Sequence, residues 1–238
     1  MKKNLFLIAV VVIVIAVIGV FVFQKSKKPI TESLKEPNSL VSNKENKEVT
    51  EEETTSQGGK EDKTLSKILS LGANISSLKY EMITTQQGKT ITQKVWLKKN
   101  KMRTEMTTGG QTIVMLLDME TKTIYQYLPS QNTAFKMQSD KNTSESTLSP
   151  IEEMKSILNY NPVVKGTEMI DGKNCLVVEY KANGTEIKSW FWKEKGFPLK
   201  MEITVNGEKV VVEYKNIEFV DIPDSMFELP KGVKIMEM

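Results

Sequence analysis

The sequence predicts a mainly β domain of the α+β class, preceded by one transmembrane helix and a disordered linker. Three observations carry this prediction. Strand-like runs separated by turn dipeptides fill most of the chain after residue 64, an uncharged apolar run occupies residues 5–23, and residues 24–63 are almost devoid of large apolar side chains. We therefore expect three parts: an anchor at 1–23, a linker at 24–63 and a folded domain at 64–238.

The composition excludes several classes of function. The 238 residues include no histidine and one cysteine, Cys175, and the formal net charge is +3. Without histidine, Ser-His-Asp and Cys-His catalysis and imidazole metal sites are impossible. A single cysteine forms no internal disulfide, and nucleic-acid binders concentrate far more basic charge on one face. We expect a non-enzymatic protein with no cofactor, no metal and no nucleic-acid partner.

The apolar run at 5–23 is long enough to cross a bilayer. Nineteen residues at helical rise span about 28 Å, close to the hydrocarbon thickness of a membrane. The run ends in QKSKK without an A-x-A-like cleavage site, which favours an uncleaved signal anchor over a cleaved signal peptide. Lysines flank both ends in similar number, so charge alone does not orient the segment.

Residues 24–63 are predicted to be a tether. Lys, Glu, Ser, Thr, Asn and Pro dominate this stretch. Such a composition cannot bury enough apolar surface to offset chain entropy. A flexible chain of this length has a root-mean-square span of roughly 35 Å.

The folded part is predicted to be an antiparallel meander with short connections. Asn183-Gly184 and Asn206-Gly207 separate strand-like runs and are strong hairpin signals, because both central residues of a type I′ turn need positive φ. The predicted strands are SLKYEMITT, TITQKVWLKK, QTIVMLLDM, KTIYQYL, NCLVVEYKA, EIKSWFWK, LKMEITV and KVVVEYKNIEFV.

Two helices interrupt the strand pattern. TLSKILSLGANI, which starts at Thr64, has the apolar spacing of a short amphipathic helix that ends at Gly72. LSPIEEMKSILNY predicts a helix over 150–160, with Ser149 as its N-cap and Pro150 in its first position.

Several strands are apolar at both alternating sets of positions, so both faces of the sheet need a cover. These runs are IVMLL, SWFW and VVVEY. The two helices can cover part of the second face, and a bound apolar ligand can fill the remainder. Many methionines also fall in or beside the strands, and their flexible thioether side chains suit a pocket for acyl chains, although they can equally fill gaps in a core.

The order of elements resembles the LolA-like family of outer-membrane lipoprotein carriers and sorting proteins. The resemblance covers roughly residues 64–236. It is carried by VWLKKNKMRTEM, KTIYQYLPSQNTAFKM, the EKGFPLKMEI turn and the closing NIEFVDIPDSMFELPKGV.

The resemblance implies an incomplete antiparallel β-barrel with a short helical lid, whose concave apolar surface holds lipoprotein acyl chains. It also implies a domain outside the cytoplasm, which together with the anchor predicted at 1–23 gives a single-pass protein of the cell membrane. In the carriers an arginine after the LWVK-type strand binds carbonyls of the lid. Aligned on Trp96, that position is Lys99 here, and Lys for Arg is not a conservative change where several acceptors must be held. Arg103 is the only arginine in the chain. It lies in the strand after the turn, where many members of the family have an arginine, so the resemblance implies a structural role for it.

We therefore predict a membrane-anchored domain that binds lipid or lipoprotein acyl chains, with a possible membrane-protein partner. The alternative is a structural or regulatory module that packs against a protein and holds no lipid. The residues predicted to line the apolar cavity are Leu97, Lys99, Met102, Met106, Met115, Leu117, Trp190, Trp192 and Met201.

Overall fold

A computed structural model describes residues 58–138, 149–205 and 207–237 of the chain. Two α-helices are present in these ranges, α1 (Gly58–Ala73) and α2 (Pro150–Ser156), together with 3-10 turns at Pro129–Gln131, Ile157–Tyr160 and Asp224–Phe227. The strands are β1 (Ser77–Gln86), β2 (Lys89–Lys98), β3 (Lys101–Thr108), β4 (Gln111–Asp118), β5 (Thr123–Leu128), β6 (Thr133–Gln138), β7 (Val163–Ile170), β8 (Lys173–Ala182), β9 (Thr185–Trp192), β10 (Pro198–Val205), β11 (Glu208–Glu218) and β12 (Lys234–Glu237).

All twelve strands form one sheet in the order β12-β6-β5-β4-β3-β2-β1-β11-β10-β9-β8-β7. Two meanders, β1–β6 and β7–β11, are joined where β1 pairs with β11. The predicted mainly β, largely antiparallel arrangement is confirmed. The prediction of an antiparallel sheet is wrong for one strand, because β12 lies parallel to β6, with Lys234 opposite Thr133. The sheet is not closed, and β7 and β12 are its edges.

The predicted hairpin turn at Asn183-Gly184 is confirmed. Both residues have positive φ, 50° and 88°, as a type I′ turn requires. Their conformation aligns Ala182 with Thr185 and sets the register of β8 on β9.

Four of the twelve strands, β3, β6, β7 and β12, were not among the eight predicted strands. β7 is an edge strand whose side chains are mostly exposed, and its pairing with β8 shifts register between Val164 and Gly166, where Gly166 has φ of 110°. β12 has four residues, all exposed. An exposed edge strand has no buried face and so leaves no apolar alternation to detect.

Helix α1 begins at Gly58, six residues before the predicted boundary at 64, so the last part of the predicted linker is helical. Residues 58–63 contain no apolar side chain. The amphipathic pattern starts only at Leu65, and periodicity cannot detect the polar turn before it.

The main core lies between the two helices and one face of the sheet, which we call the inner face; the opposite face is the outer face. Buried inner-face side chains from β1, β2, β8, β9, β10 and β11 pack with buried residues of both helices in one cluster. The helical residues are Leu65, Ile68, Leu69, Ile151 and Met154. Each such side chain contributes roughly 1.5–3 kcal/mol when it leaves water, so this burial holds both helices on the sheet.

The outer face has its own apolar clusters, which explains the runs that are apolar on both sides. Val114, Leu116 and Tyr127 pack with Leu229 and Val233 of the chain between β11 and β12. We call residues 219–233 the C-terminal segment. The helices cover part of one face, the inner face, as predicted. The cover of the outer face by the C-terminal segment was not predicted.

Helix α1 lies unusually close to the turn between β9 and β10. A Cβ added at Gly72 would lie 2.3 Å from Met154 Sδ and 2.6 Å from the Gly196 carbonyl oxygen. Gly196, with φ of 73°, approaches the backbone of Ile68 and Gly72 just as closely. The absence of side chains at both glycines therefore sets the distance between α1, α2 and the sheet.

Gly72→Ala is expected to destabilise the protein by about 1–3 kcal/mol, because the added methyl group must displace Met154 and a backbone carbonyl. At an ordinary helical position the same change would stabilise by about 0.5–1 kcal/mol. Chemical denaturation of the full-length chain measures the difference. The exposed Ser70→Ala variant in the same helix is the control and should be slightly stabilising. Equal stability gains in both variants would show that the contact can relax freely.

Candidate functional site: the inner face of the sheet

Six of the nine predicted cavity residues lie on the inner face. Leu97, Met102, Leu117 and Met201 belong to the main core, and Met106 and Met115 belong to a second inner-face cluster with Ile91, Ile113 and Leu128. Most are buried in this conformation; Leu97, for example, is 1 % exposed. A ligand that reaches the main core must therefore replace contacts now made by α1 and α2.

Trp190 and Trp192 lie on the outer face and do not share a cavity with the other six. Between them Phe191 points inward and packs in the main core, and side chains alternate along a strand. The Trp190 ring lies beneath Lys200 Nζ, 4.5 Å from the ring centroid, and its indole N–H donates to Glu168 at 2.7 Å. The two tryptophans therefore stabilise the outer face.

Lys99 is exposed in the turn between β2 and β3 and has φ of 49°. Its backbone N–H donates to the Ser76 carbonyl at 2.9 Å. The side chain of Lys99 is thus placed outside the inner-face clusters. Whether it contacts a ligand stays a prediction.

The neighbouring Lys98, which the sequence did not single out, binds the C-terminal segment. Its Nζ donates to the Ile222 carbonyl at 2.6 Å and lies 3.1 Å and 3.3 Å from carboxylate oxygens of Asp221 and Asp224. The hydrogen bond with Asp221, together with the charge of Asp224, raises the pKa of Lys98. Ile222 is buried beside this contact.

Arg103 makes a second contact with the C-terminal segment. Its Nη1 donates to the Met226 carbonyl at 3.1 Å, and its Nε donates to Glu105 Oε1 at 2.9 Å. The guanidinium carbon lies 5.8 Å from the centroid of Trp96. The planar fork meets the carboxylate and the carbonyl with two separate nitrogens, a geometry that the single ammonium nitrogen of a lysine does not reproduce. Arg103 is a scaffold residue of the outer face, as the sequence predicted.

Glu153, on α2, is the titratable group that sequence reasoning missed on the inner side. The helix begins as predicted, with Ser149 Oγ accepting from the Ile151 N–H at 3.2 Å. Glu153 accepts a 2.8 Å hydrogen bond from the Tyr180 hydroxyl of β8, and the Tyr180 ring stacks on Tyr160 at 6.1 Å. The pair connects α2 to the sheet. Its only sequence signal was a carboxylate at an inward-facing helical position.

The Glu153 pair lies in an apolar environment that alters its titration. Burial raises the pKa of Glu153, and the hydrogen bond from Tyr180 partly opposes that rise. Burial also raises the pKa of Tyr180 well above its usual value, and the nearby Ser189 hydroxyl opposes this rise. Within the described ranges the Ser189 hydroxyl itself makes no hydrogen bond of ordinary geometry. No cation in the described ranges contributes to this shift of the Glu153 pKa. The cost of burying the ionised carboxylate is therefore not offset by a nearby positive charge.

The described ranges offer little for other kinds of site. No group of three metal-ligating side chains occurs within them, and burial raises the pKa of the Cys175 thiol to about 11. No helix in residues 58–138, 149–205 or 207–237 is long and apolar enough to cross a membrane. The predicted anchor at 5–23 lies outside the described residues.

Comparison with known proteins finds similarity of structure only. No family model matches the chain, and no curated protein matches its sequence. An uncharacterized conserved protein from Thermus thermophilus is similar with a TM-score of 0.55 and 9 % identity, covering 75 % of this chain and 99 % of that one. At that identity the similarity indicates a shared fold.

Two further structures are similar at lower scores. LprF from Mycobacterium bovis has a TM-score of 0.47 and 11 % identity, covering 74 % of this chain and 98 % of that one. MucB in the MucA/MucB complex of Pseudomonas aeruginosa has a TM-score of 0.44 and 14 % identity, covering 68 % and 60 %. These values are too low to transfer a function.

The free energy of unfolding of the wild-type protein is expected to fall, relative to that of Glu153→Gln, as the pH rises from about 4.5, the ordinary pKa of glutamate, through the raised pKa of Glu153. A carboxyl whose folded pKa is raised binds more protons in the native state than in the unfolded state, so its contribution is complete at low pH and falls as pH rises. Urea unfolding of both proteins across this range measures the difference. Parallel pH curves would show that Glu153 titrates normally.

Arg103→Lys is expected to release the C-terminal segment, because one ammonium nitrogen would have to replace the two guanidinium nitrogens that separately contact Glu105 and Met226. The cost should be about 1–2 kcal/mol, with faster tryptic cleavage after the exposed Lys231. Lys99→Gln, which alters an exposed turn residue, is the matched control and should leave cleavage unchanged. Identical cleavage in Arg103→Lys and wild type would contradict the anchoring role.

Proposed function

We propose that the domain binds the acyl chains of a lipid or lipoprotein on its inner face. In this proposal the open sheet is an incomplete antiparallel barrel of the LolA-like kind, and α1 and α2 are its lid. The N-terminal segment holds the protein in the cell membrane with the domain outside the cytoplasm. We propose no catalytic role and no cofactor.

The observation that carries the proposal is the composition and cover of the inner face. Its side chains are mainly apolar and include five flexible methionines: Met82, Met102, Met106, Met115 and Met201. The elements that pack on them in the main core are two short helices rather than a second sheet. Outward movement of the helices would expose a mainly apolar surface, which suits long hydrocarbon chains.

The contacts between lid and sheet fit a cover that can detach. Helix α2 packs on the sheet through apolar side chains, and its Glu153 accepts a hydrogen bond from Tyr180 of the sheet. A seven-residue helix held largely by apolar packing suits a cover that opens locally.

A protein-interaction module is the second candidate, and edge strand β7 favours it. Val163 and Met169 on this strand are 53 % and 64 % exposed. Exposed apolar side chains at the rim of a sheet are typical of protein contacts when they form a patch. In that case the inner face would stay closed and hold no lipid.

Photolabelling of the full-length chain in lipid nanodiscs with a diazirine-bearing palmitic acid distinguishes the two. We expect adducts at inner-face positions such as Met102, Met115 and Met201, and none at Trp190 or Trp192. Met115→Gln should lower labelling about 3- to 10-fold, because an amide on that surface must be desolvated. The exposed Met169→Gln variant is the matched control and should label like wild type.

Labelling confined to β7 would favour the protein-interaction module. A domain without any adducts, in a sample whose membrane segment is labelled, would overturn lipid binding.

A further inference from the structure

A band of polar side chains crosses the mainly apolar inner face. It consists of Thr84 on β1, Gln93 on β2 and Thr104 on β3, all buried. On β2, Gln93 shares the inner face with Ile91 on one side and with Val95 and Leu97 on the other. We call the three residues the polar band.

The polar band separates two apolar regions. On one side lies the main core, with Val95, Leu97 and Met102, and on the other lies the smaller cluster of Ile91, Met106, Ile113, Met115 and Leu128. A hydrocarbon chain that runs along the inner face from one region to the other must cross the band.

Gln93 is the centre of the band. It pairs directly with Met82 on β1 and with Met106 on β3. Thr84 and Thr104 are its diagonal neighbours, since they pair with Ile91 and Val95. Direct cross-strand neighbours have Cβ atoms about 5 Å apart and diagonal ones about 7–8 Å apart, so one ligand group can contact the amide and a threonine together.

The amide of Gln93 has no hydrogen-bond partner in the part of the chain that the structure describes. The residue is 3 % exposed and no hydrogen bond of its side chain is found in the ranges 58–138, 149–205 and 207–237, but its amide is not among the fully enclosed unpaired groups of these ranges, which are the hydroxyls of Ser77 and Ser189. Its direct neighbours are thioethers, which are weak acceptors and cannot donate. The amide therefore keeps a small accessible surface, and closing the inner face over it costs free energy unless a hydrogen-bonding group meets it.

We propose that Gln93 binds the amide or ester linkage of an acylated ligand, whose hydrocarbon portions occupy the apolar regions on either side of the polar band. This inference rests on the proposed function. The Gln93 side chain offers N–H donors to the linkage carbonyl and an oxygen acceptor to an amide N–H. The ligand class is therefore a chain interrupted by an amide or ester, in preference to a plain hydrocarbon.

The test uses the same photolabelling of full-length protein in nanodiscs, now with competitors. N-Methylpalmitamide, methyl palmitate and heptadecane are of similar length and differ in the linkage. Gln93→Met keeps the length of the side chain and removes the amide, while the exposed Gln131→Met variant is the matched control. Partition of each competitor into the bilayer is the same for all variants, so the ratio between variants isolates the effect of the protein.

For Gln93→Met we expect the half-inhibiting concentrations of the amide and the ester to rise about 3- to 10-fold, as for the loss of one buried hydrogen bond. Heptadecane should compete equally with both proteins, and Gln131→Met should match wild type throughout. The thermal midpoint of Gln93→Met should be equal to that of wild type or higher, because an unpaired buried amide has been removed.

Equal competition by the amide and the ester in wild type and Gln93→Met would overturn the role of Gln93 while leaving lipid binding intact. An equal loss for all three competitors would also overturn it, since that result indicates altered packing. Absence of labelling in wild-type protein, before any competitor is added, would instead overturn the proposed function itself.

Discussion

The structure depends on the pairing of β1 with β11. Each meander is built from hairpins between neighbouring segments, but this junction joins residues far apart in the sequence, such as Met82 and Tyr214. The register shifts between Lys79 and Glu81, and polar side chains hold both sides of the shift: Lys79 pairs with Glu218 at 3.0 Å and Asn216 donates to Glu81 at 2.8 Å. Without this junction there would be two small sheets and no shared inner face for the helices to cover.

Once the sheet is continuous, its two faces are covered by different means. On the inner face, two helices pack through apolar side chains and through the close approach of Gly72 to Gly196. On the outer face, the C-terminal segment is held by Lys98 and Arg103, which bind backbone carbonyl oxygens. Hydrogen bonds from charged groups to main-chain acceptors are stronger than neutral hydrogen bonds. The outer cover is thus fixed by charge, whereas the inner cover depends mainly on packing and is the one suited to move.

The features that sequence predicts here are local. The Asn183-Gly184 turn and the Ser149 cap depend on a few adjacent residues, so their chemistry is visible in the sequence. The run SWFW shows a feature that a local sequence pattern cannot predict, namely which side chains face the inner side of the sheet. All its large side chains are apolar, so only pairing with β8, where Phe191 meets Leu176, determines that the tryptophans face outward. Likewise, the carbonyl acceptor of Lys98 and the hydrogen-bond partner of Glu153 come from distant segments. A backbone acceptor leaves no residue signature in the sequence.

The irregular form of β7 has a consequence for how copies of this chain can meet. A straight, unpaired strand is a template on which another chain can continue the sheet, and such addition leads to aggregation. In β7 the register shift at Gly166 interrupts the row of unpaired groups, and Lys165 sits at that point, within 3.3 Å of Glu179. At the opposite end the sheet finishes with only four exposed residues in β12. Neither border gives a second molecule a long, regular run of backbone to pair with, which disfavours continuation of the sheet from one copy to the next.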